Sequence, residues 1–201
     1  MLHRTCNLAN QLAYYEEKGL PKPNSVVMAC QDLGTDISVW PSNGGQIHTL
    51  QKGTQGVMSE ITSCQTRAFH GALCLFYGRF VFQRVFMSGH ETFMDVETTV
   101  LDTYQEMAAA EDFKDAHYGL EGKRTAPMSW PAFVASCEAR TVGARNLWTD
   151  WWSRRVAGYC VGNFSRQWSI VQEVWEIIDS NPKITNWREA LRVLGKPVLP
   201  I

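Results

Sequence analysis

The sequence predicts an all-α fold, an irregular multi-helix domain with a loop-rich N-terminal segment. From about Ile61 onward, apolar residues recur at the spacing of one face of an α-helix. Eight Trp among 201 residues is a high count, typical of large side chains wedged between helices. Apolar residues make up 45% of the chain, which is enough to bury a substantial core.

The first sixty residues are predicted to contain little regular structure. A helix is expected from Leu8 to Lys18, because Gly19 and Pro21 follow it. Residues 21–56 hold three prolines, five glycines and a turn-type sequence at 41–45, so we expect a loop with at most short helices or an edge strand. Residues 1–64 are therefore predicted to be a loop-rich segment with one or two short helices, and residues 65–201 a helical domain, within one globular unit.

The middle of the chain predicts two long helices. Thr66 to Met87 is apolar nearly all round, which indicates a central, buried helix that ends before Gly89. A second helix with one apolar face is expected from Phe93 to about Phe113. Residues 114–128 hold two glycines and a proline and are predicted to form a surface loop.

Helix-capping and helix-ending residues predict four more helices towards the C-terminus. Ser129 is a suitable N-cap for the first, with Pro131 in its first turn. Gly143 is expected to separate that helix from the next, which carries Trp148, Trp151, Trp152 and Tyr159. Asn163 is expected to cap a helix that ends at Asn181 and Pro182, and the last helix is expected from Thr185 to Leu194, closed by Gly195 with Pro197 beyond.

Charge and hydropathy exclude several classes of protein. Nineteen basic and twenty acidic side chains give a net charge of -1, which excludes a strongly basic surface for binding nucleic acid. Met1 to Leu20 contains no apolar block of the kind found in a secretory signal peptide. Ala72 to Met87 is too short and too polar to cross a bilayer. We therefore expect an intracellular protein that is not membrane-bound.

Cysteine and histidine spacings predict no metal site and no cofactor. No two of the six cysteines lie within nine residues of one another, so no C-x-x-C pair exists. We expect reduced and mostly buried thiols. The five histidines are scattered, and the usual phosphate-loop, dinucleotide, nucleophile-elbow and H-E-x-x-H motifs are absent.

Cys137 could be a thiol nucleophile or a buried structural residue. It lies four residues after Phe133 and therefore on the same helical face. An activated thiol needs an electropositive and partly exposed setting, so the structural interpretation is favoured.

Two pairs of arginines also leave alternatives open. Arg79 and Arg84 interrupt the apolar central helix, so they either form ion pairs across helices or face an anionic ligand. Arg154 and Arg155, beside three tryptophans, have the composition of a stacking surface for single-stranded nucleic acid. A buried core with a solvated basic face is the favoured interpretation of that second pair. The acidic partners considered for the first pair are Asp95, Glu97 and Glu138.

The C-terminal two thirds of the chain resemble a known family. Residues 129–139, S-W-P-A-F-V-A-S-C-E-A, resemble the W-P-x-F-[VI]-A-[GS]-C-E-A box of fungal-specific transcription factors. That box lies in the large helical domain that follows a zinc-cluster DNA-binding module. The likeness extends from Thr66 to Leu199, because several separated motifs keep their order. They are the aromatic-rich residues 72–78, the Arg-containing helix 140–152, the helix 163–175 and the closing residues 187–191.

The resemblance implies a regulatory domain, with no catalysis, in a nuclear regulator of metabolic genes. Such a domain senses a small metabolite or contacts protein partners, which include the transcription machinery or a second copy of the chain. An effector pocket is expected between the helix from Leu73 to Phe86 and the Trp-bearing helices. The resemblance further implies structural roles for the motif residues Trp130, Pro131, Phe133, Cys137, Glu138, Trp175 and Trp187. Arg79 and Arg84 remain candidates for ligand binding.

The chain departs from the family pattern because it holds no six-cysteine zinc cluster, basic linker or dimerising heptad. We therefore expect a C-terminal fragment, a truncated product or a stand-alone relative, which contacts DNA only through a zinc cluster not present in this chain. Two other hypotheses remain open. One is a helical interaction or structural protein with no DNA role, and the other is a helical enzyme that depends on Cys137 or a histidine.

Overall fold

The computed structural model describes residues 1–44, 54–86, 93–122, 128–158 and 162–196. Within these ranges the regular structure is helical and no strand is present, so the all-α prediction is confirmed. No described helix is long and apolar enough to span a membrane. The helices are α1 (Leu2–Glu17), α2 (Asn24–Gly44), α3 (Thr54–Tyr77), a π-helical turn (Gly78–Phe82), α4 (Gln83–Phe86), α5 (Val96–Gly122), α6 (Ser129–Glu138), α7 (Val142–Gly158), α8 (Gly162–Ser180) and α9 (Trp187–Val193).

The N-terminal region is more helical than the sequence predicts. Helix α1 starts at Leu2, six residues before the predicted start, and ends before Gly19, whose φ of 61° requires glycine. The loop predicted for residues 21–56 is wrong, because α2 occupies residues 24–44. Pro23 does not interrupt α2, since it precedes the helix and its carbonyl accepts the amides of Val26 and Val27. Residues 45–53 lie outside the described residues.

Tertiary packing explains why α2 forms. Val26, Cys30, Leu33 and Ile37 follow the spacing of one helical face and are all buried. The Tyr77 hydroxyl on α3 donates a hydrogen bond of 2.9 Å to the Cys30 carbonyl. The predicted turn at residues 41–45 is wrong in its described part, because residues 41–44 continue the helix.

The central buried helix is confirmed. Helix α3, the π-helical turn and α4 follow one another without a break from Thr54 to Phe86. Within them, Leu73, Phe76, Tyr77 and Phe80 are almost completely buried. Helix α3 packs along α5 and also contacts α1, α2 and α6. The predicted stop at residue 89 lies outside the described residues.

Helix α5 is longer than predicted. It starts at Val96 and continues to Gly122, so the loop predicted from residue 114 is wrong as far as residue 122. Lys114 extends the helix because its ammonium group is buried 2.9 Å from a carboxylate oxygen of Glu111, three residues earlier. Residues 123–127, the rest of the predicted loop, are outside the described part of the chain.

The C-terminal helices occur in the predicted order, but four of the predicted boundaries are wrong. The last helix starts at Trp187 and not at Thr185. Met128, not Ser129, occupies the N-cap position of α6, and Gly143 and Asn163 lie inside the first turns of α7 and α8. Residues 139–141 separate α6 from α7 instead. The predicted ends of α8 and α9 agree with the structure, and Gly195 has a φ of 63°. Residues 159 and 197 are outside the described ranges.

Helix α6 is the most enclosed element of the described structure. All eight residues from Pro131 to Glu138 are buried, which is unusual because a helix normally keeps one face in solvent. It contacts α3, α5, α7 and α8. The residues that resemble the family box, 129–139, therefore lie at the centre of the helical packing. The division of the chain at residue 64 stays a prediction.

Candidate functional site

A buried ion pair joins the central helix to the end of α6. Arg79, in the π-helical turn, donates from Nε to Glu138 Oε1 at 3.1 Å and from Nη2 to Glu138 Oε2 at 2.8 Å. The Glu138 side chain is 1% exposed and that of Arg79 is 21% exposed. Arg140 adds a second, longer contact of 3.8 Å to the same carboxylate. Of the alternatives left open for Arg79, the structure contains the ion pair with Glu138, which fixes the position of the guanidinium.

Ser136 connects α6 to α7 and α8 through one tryptophan on each. Its hydroxyl accepts a 2.8 Å hydrogen bond from the Trp152 indole on α7 and donates one of 2.6 Å to the Ala132 carbonyl. Its carbonyl accepts a 2.8 Å hydrogen bond from the Trp175 indole on α8. One small polar residue thus accepts hydrogen bonds from two large side chains, each on a different helix.

Aromatic contacts place the other motif residues against the central helix. The rings of Phe133 and Trp187 lie 5.7 Å apart, and Trp187 lies 5.1 Å from Phe80, both edge to face. Trp130 lies 5.0 Å from Phe69 on α3. Pro131 is buried in the first turn of α6. These positions describe packing, and the family roles of the motif residues stay predictions.

Cys137 lies in surroundings that suppress thiol chemistry. The residue has no exposed surface, and burial, with a smaller effect from the neighbouring Glu138 carboxylate, raises the pKa of its thiol well above the ordinary value. A thiol in such a site remains protonated and is a poor nucleophile. Cys6, Cys30, Cys64 and Cys74 are also free thiols, and Cys160 lies outside the described residues.

Metal ligands do not assemble in the described part of the chain. No group of three or more His, Cys, Asp or Glu side chains there could hold a metal ion. His70 and Cys74 contact each other at 3.4 Å on α3, and His70 Nε2 also lies 2.9 Å from the Ile37 carbonyl. Burial raises the pKa of the Cys74 thiol to about 12. The contact of His70 with the Ile37 carbonyl joins α3 to α2.

The two arginines beside the tryptophans have different surroundings. Arg155 is buried and lies 3.0 Å from a carboxylate oxygen of Glu111, whereas Arg154 is exposed and pairs with Asp150 at 2.7 Å. The adjacent tryptophans, Trp148, Trp151 and Trp152, have no exposed surface. Bases cannot stack on rings that are buried, so this region is a core with a solvated face.

Arg84 lies in a basic group at the junction of α1, α4 and α9. Its Nη1 lies 3.5 Å from Glu16 Oε2, and Lys22 Nζ lies 3.6 Å from the other oxygen of that carboxylate. Arg188, from α9, contributes a second guanidinium that is almost completely buried. The structure thus separates Arg79, which is paired with Glu138, from Arg84, whose surroundings are rich in positive charge.

Two open grooves border the central helix. One, of about 410 Å³, lies between α2 and the aromatic rings of Tyr77, Phe82, Phe86 and Phe93. The other, of about 380 Å³, lies between α3 and α5 and is lined by Arg67, His70, Asp102 and Glu106 among others. Both volumes lie within the range of small-molecule sites. Neither groove is in the predicted place between the central helix and the Trp-bearing helices.

The described residues thus form an apolar helical core that also contains buried ion pairs. The chain belongs to the family of the fungal specific transcription factor domain, whose family model matches residues 1–201. The resemblance read from the sequence is therefore confirmed, and it extends to the N-terminal residues where no motif was recognised. No curated protein and no solved structure matches the chain.

Sequence reasoning did not single out two residues of these sites, Ser136 and Arg188. Ser136 is a buried hydroxyl residue within an apolar helix, and Arg188 lies between the buried residues Trp187 and Ala190. Polar residues at such positions must find buried partners, which is the signal that could have identified them.

Proposed function

We propose that the chain is the regulatory domain of a nuclear regulator of metabolic genes and acts without catalysis of its own. The observation that carries this proposal is the family match, which covers all 201 residues. The raised pKa of the buried Cys137 thiol supports the absence of thiol catalysis. Its regulatory activity is expected to respond to a small metabolite or to a protein partner, either from the transcription machinery or a second copy of the chain.

We also propose that DNA contact requires a zinc cluster that is not part of these 201 residues. The six cysteines are too dispersed in sequence to form the six-cysteine module that the resemblance implies. A net charge of -1 does not favour binding to phosphate backbones. Arg155 is occupied by Glu111, which removes the most suggestive basic residue from contact with nucleic acid.

A tethered-reporter experiment tests both statements. The chain is fused to a heterologous DNA-binding domain and expressed in a fungal cell that carries a reporter gene with the matching operator. We expect reporter expression to differ from that with the DNA-binding domain alone. The same chain without the fusion partner is expected to leave the reporter unchanged.

The control fusion carries Phe133→Asp, which places a carboxylate in the core beside Trp187 and prevents correct folding. Its expression level is matched by immunoblot, and it is expected to show no regulatory effect. Reporter expression that is equal for the wild-type fusion and the DNA-binding domain alone would refute the regulatory role. A fluorescent tag on the chain tests the nuclear location in the same cells.

A further inference from the structure

Two arginines at the junction of α1, α4 and α9 carry buried N–H groups that form no hydrogen bond within the described residues, although Arg84 Nη1 lies 3.5 Å from the carboxylate of Glu16. They are Nε and Nη1 of Arg188 and Nη1 of Arg84. Arg188 is 6% exposed, so solvent reaches little of its guanidinium. A buried charged donor without an acceptor is unfavourable, and native proteins normally pair such groups. Within the described residues, Nε and Nη1 of Arg188 therefore lack an acceptor.

The contacts of Arg188 within the described residues supply no negative charge. Its Nη2 donates a hydrogen bond of 3.1 Å to the neutral side chain of Asn10 on α1. Its guanidinium carbon lies 5.0 Å from the centre of the Phe80 ring. Two of its three nitrogen atoms remain available to an additional acceptor.

The charges around Arg188 are mostly positive. In the described part of the chain, Lys22 and Arg84 form ion pairs with Glu16, and Arg192 forms one with Glu17. Burial, followed by repulsion from Arg84 and Arg192, lowers the pKa of Arg188 to about 10. An anion placed between Arg84 and Arg188 would relieve this repulsion.

We propose that Arg84 and Arg188 form a binding site for a small anion that carries a carboxylate or phosphate group. The planar guanidinium presents parallel N–H donors that match the oxygen atoms of either group. The α1 side of the junction borders solvent, because Asn10 is exposed and the side chains of Glu16 and Lys22 are 39% and 30% exposed. Glu16 occupies part of the site and competes with the ligand, because its carboxylate lies 3.5 Å from Arg84.

The binding site is independent of the role in transcription. A function of this site as a metabolite sensor rests on the proposed function, whereas anion binding itself does not. Binding to the purified chain can therefore succeed or fail separately from the reporter experiment.

Isothermal titration calorimetry of the purified chain with inorganic phosphate and with malonate tests the site. Ionic strength is held constant with chloride, so that screening does not change during the titration. We expect saturable binding of at least one probe. Arg188→Gln and Arg84→Gln are each expected to weaken it about tenfold or more, because each removes a charge-assisted hydrogen bond. Arg154→Gln on the exposed face of α7 is the matched control and is expected to leave affinity unchanged.

A charge-removal variant makes the test independent of folding defects. Glu16→Gln removes the competing carboxylate and is expected to tighten binding by about threefold, a gain that unfolding cannot produce. Asp150→Asn, a similarly exposed acid on α7, serves as its control. Tighter binding in Glu16→Gln alone supports the site. The proposal is overturned if neither probe binds saturably, or if Glu16→Gln binds no more tightly than the wild type.

Discussion

Breaking the ion pair between Arg79 and Glu138 should destabilise the whole domain, because it joins the central helix to α6. Glu138 is 1% exposed and accepts two hydrogen bonds from Arg79. Removal of one partner of a fully buried pair costs about 3–5 kcal/mol. Arg79 is 21% exposed, so water recovers part of the loss, and we expect Glu138→Gln to lower the free energy of unfolding by about 2–3 kcal/mol.

A double-mutant cycle isolates the pair from the rest of the site. Among the described residues, Arg79→Met leaves the Glu138 carboxylate with only the 3.8 Å contact to Arg140, and we expect it to cost about 3–4 kcal/mol. The double variant should cost less than the sum of the two single variants, with a coupling energy of about 1–3 kcal/mol. Urea unfolding followed by tryptophan fluorescence measures all four proteins.

A surface pair provides the matched control for that cycle. Arg154 and Asp150 form an exposed pair at 2.7 Å on α7. Their coupling energy should be below about 0.5 kcal/mol, because solvent screens both charges. If the coupling energy of the pair between Arg79 and Glu138 is as small as that of the surface pair, the argument that α6 is anchored by charge is wrong.

Three further predictions follow from close packing and from thiol burial. A Cβ at Gly34 would lie 2.5 Å from the Tyr77 hydroxyl oxygen, so Gly34→Ala should lower the free energy of unfolding by about 1–3 kcal/mol. Adding Tyr77→Phe removes that oxygen and should restore part of the loss, and urea titration measures both variants. Burial raises the pKa of Cys30 to about 11 and of Cys74 to about 12, so these thiols stay protonated in the folded state. Stability should therefore be fully present below about pH 9 and fall as pH rises through 9 to 11, as shown by denaturation at several pH values. Iodoacetamide should label Cys137 far more slowly in the folded protein than in urea, because the thiol is buried. Mass spectrometry of the digested protein measures the labelling, and rapid labelling of the folded protein would instead indicate a catalytic thiol.

The sequence predicts the fold class because the apolar spacing of the later helices is strong. The same signal was present in α2, where Val26, Cys30, Leu33 and Ile37 fall on one face. The prolines and glycines around these four residues favour a loop when only neighbouring positions are considered. The acceptor of the Tyr77 hydroxyl lies 47 residues away from it in the chain, and such distant contacts are absent from local patterns.

The end of α5 shows the same limit on prediction. Lys114 marks the start of a predicted loop, yet it lies buried beside Glu111, which also contacts Arg155 on α7. A charged residue on an apolar face is usually exposed, but Lys114 is buried beside Glu111, which has a second buried partner, Arg155, on another helix. That partner lies 44 positions after Glu111 in the sequence, which local periodicity cannot reveal.

Ion pairs of the candidate site can be predicted only where the sequence offers few acidic residues as partners for an arginine. Glu138 was among three acids considered for Arg79, and the structure pairs the two residues. The unpaired donors of Arg188 depend instead on the packing of α1 and α9, whose residues Asn10 and Arg188 are 178 positions apart. The excess of positive charge at the junction of α1, α4 and α9 arises from the tertiary structure, which brings these helices together.

Acute depletion of the chain in the cells that encode it, followed by nascent-RNA sequencing, tests the proposed role in transcription. Depletion through an inducible degradation tag separates immediate effects on transcription from later physiological responses. We predict that the synthesis of a defined set of metabolic transcripts changes as soon as the chain is lost. Nascent transcription that stays unchanged after complete depletion would contradict the regulatory role.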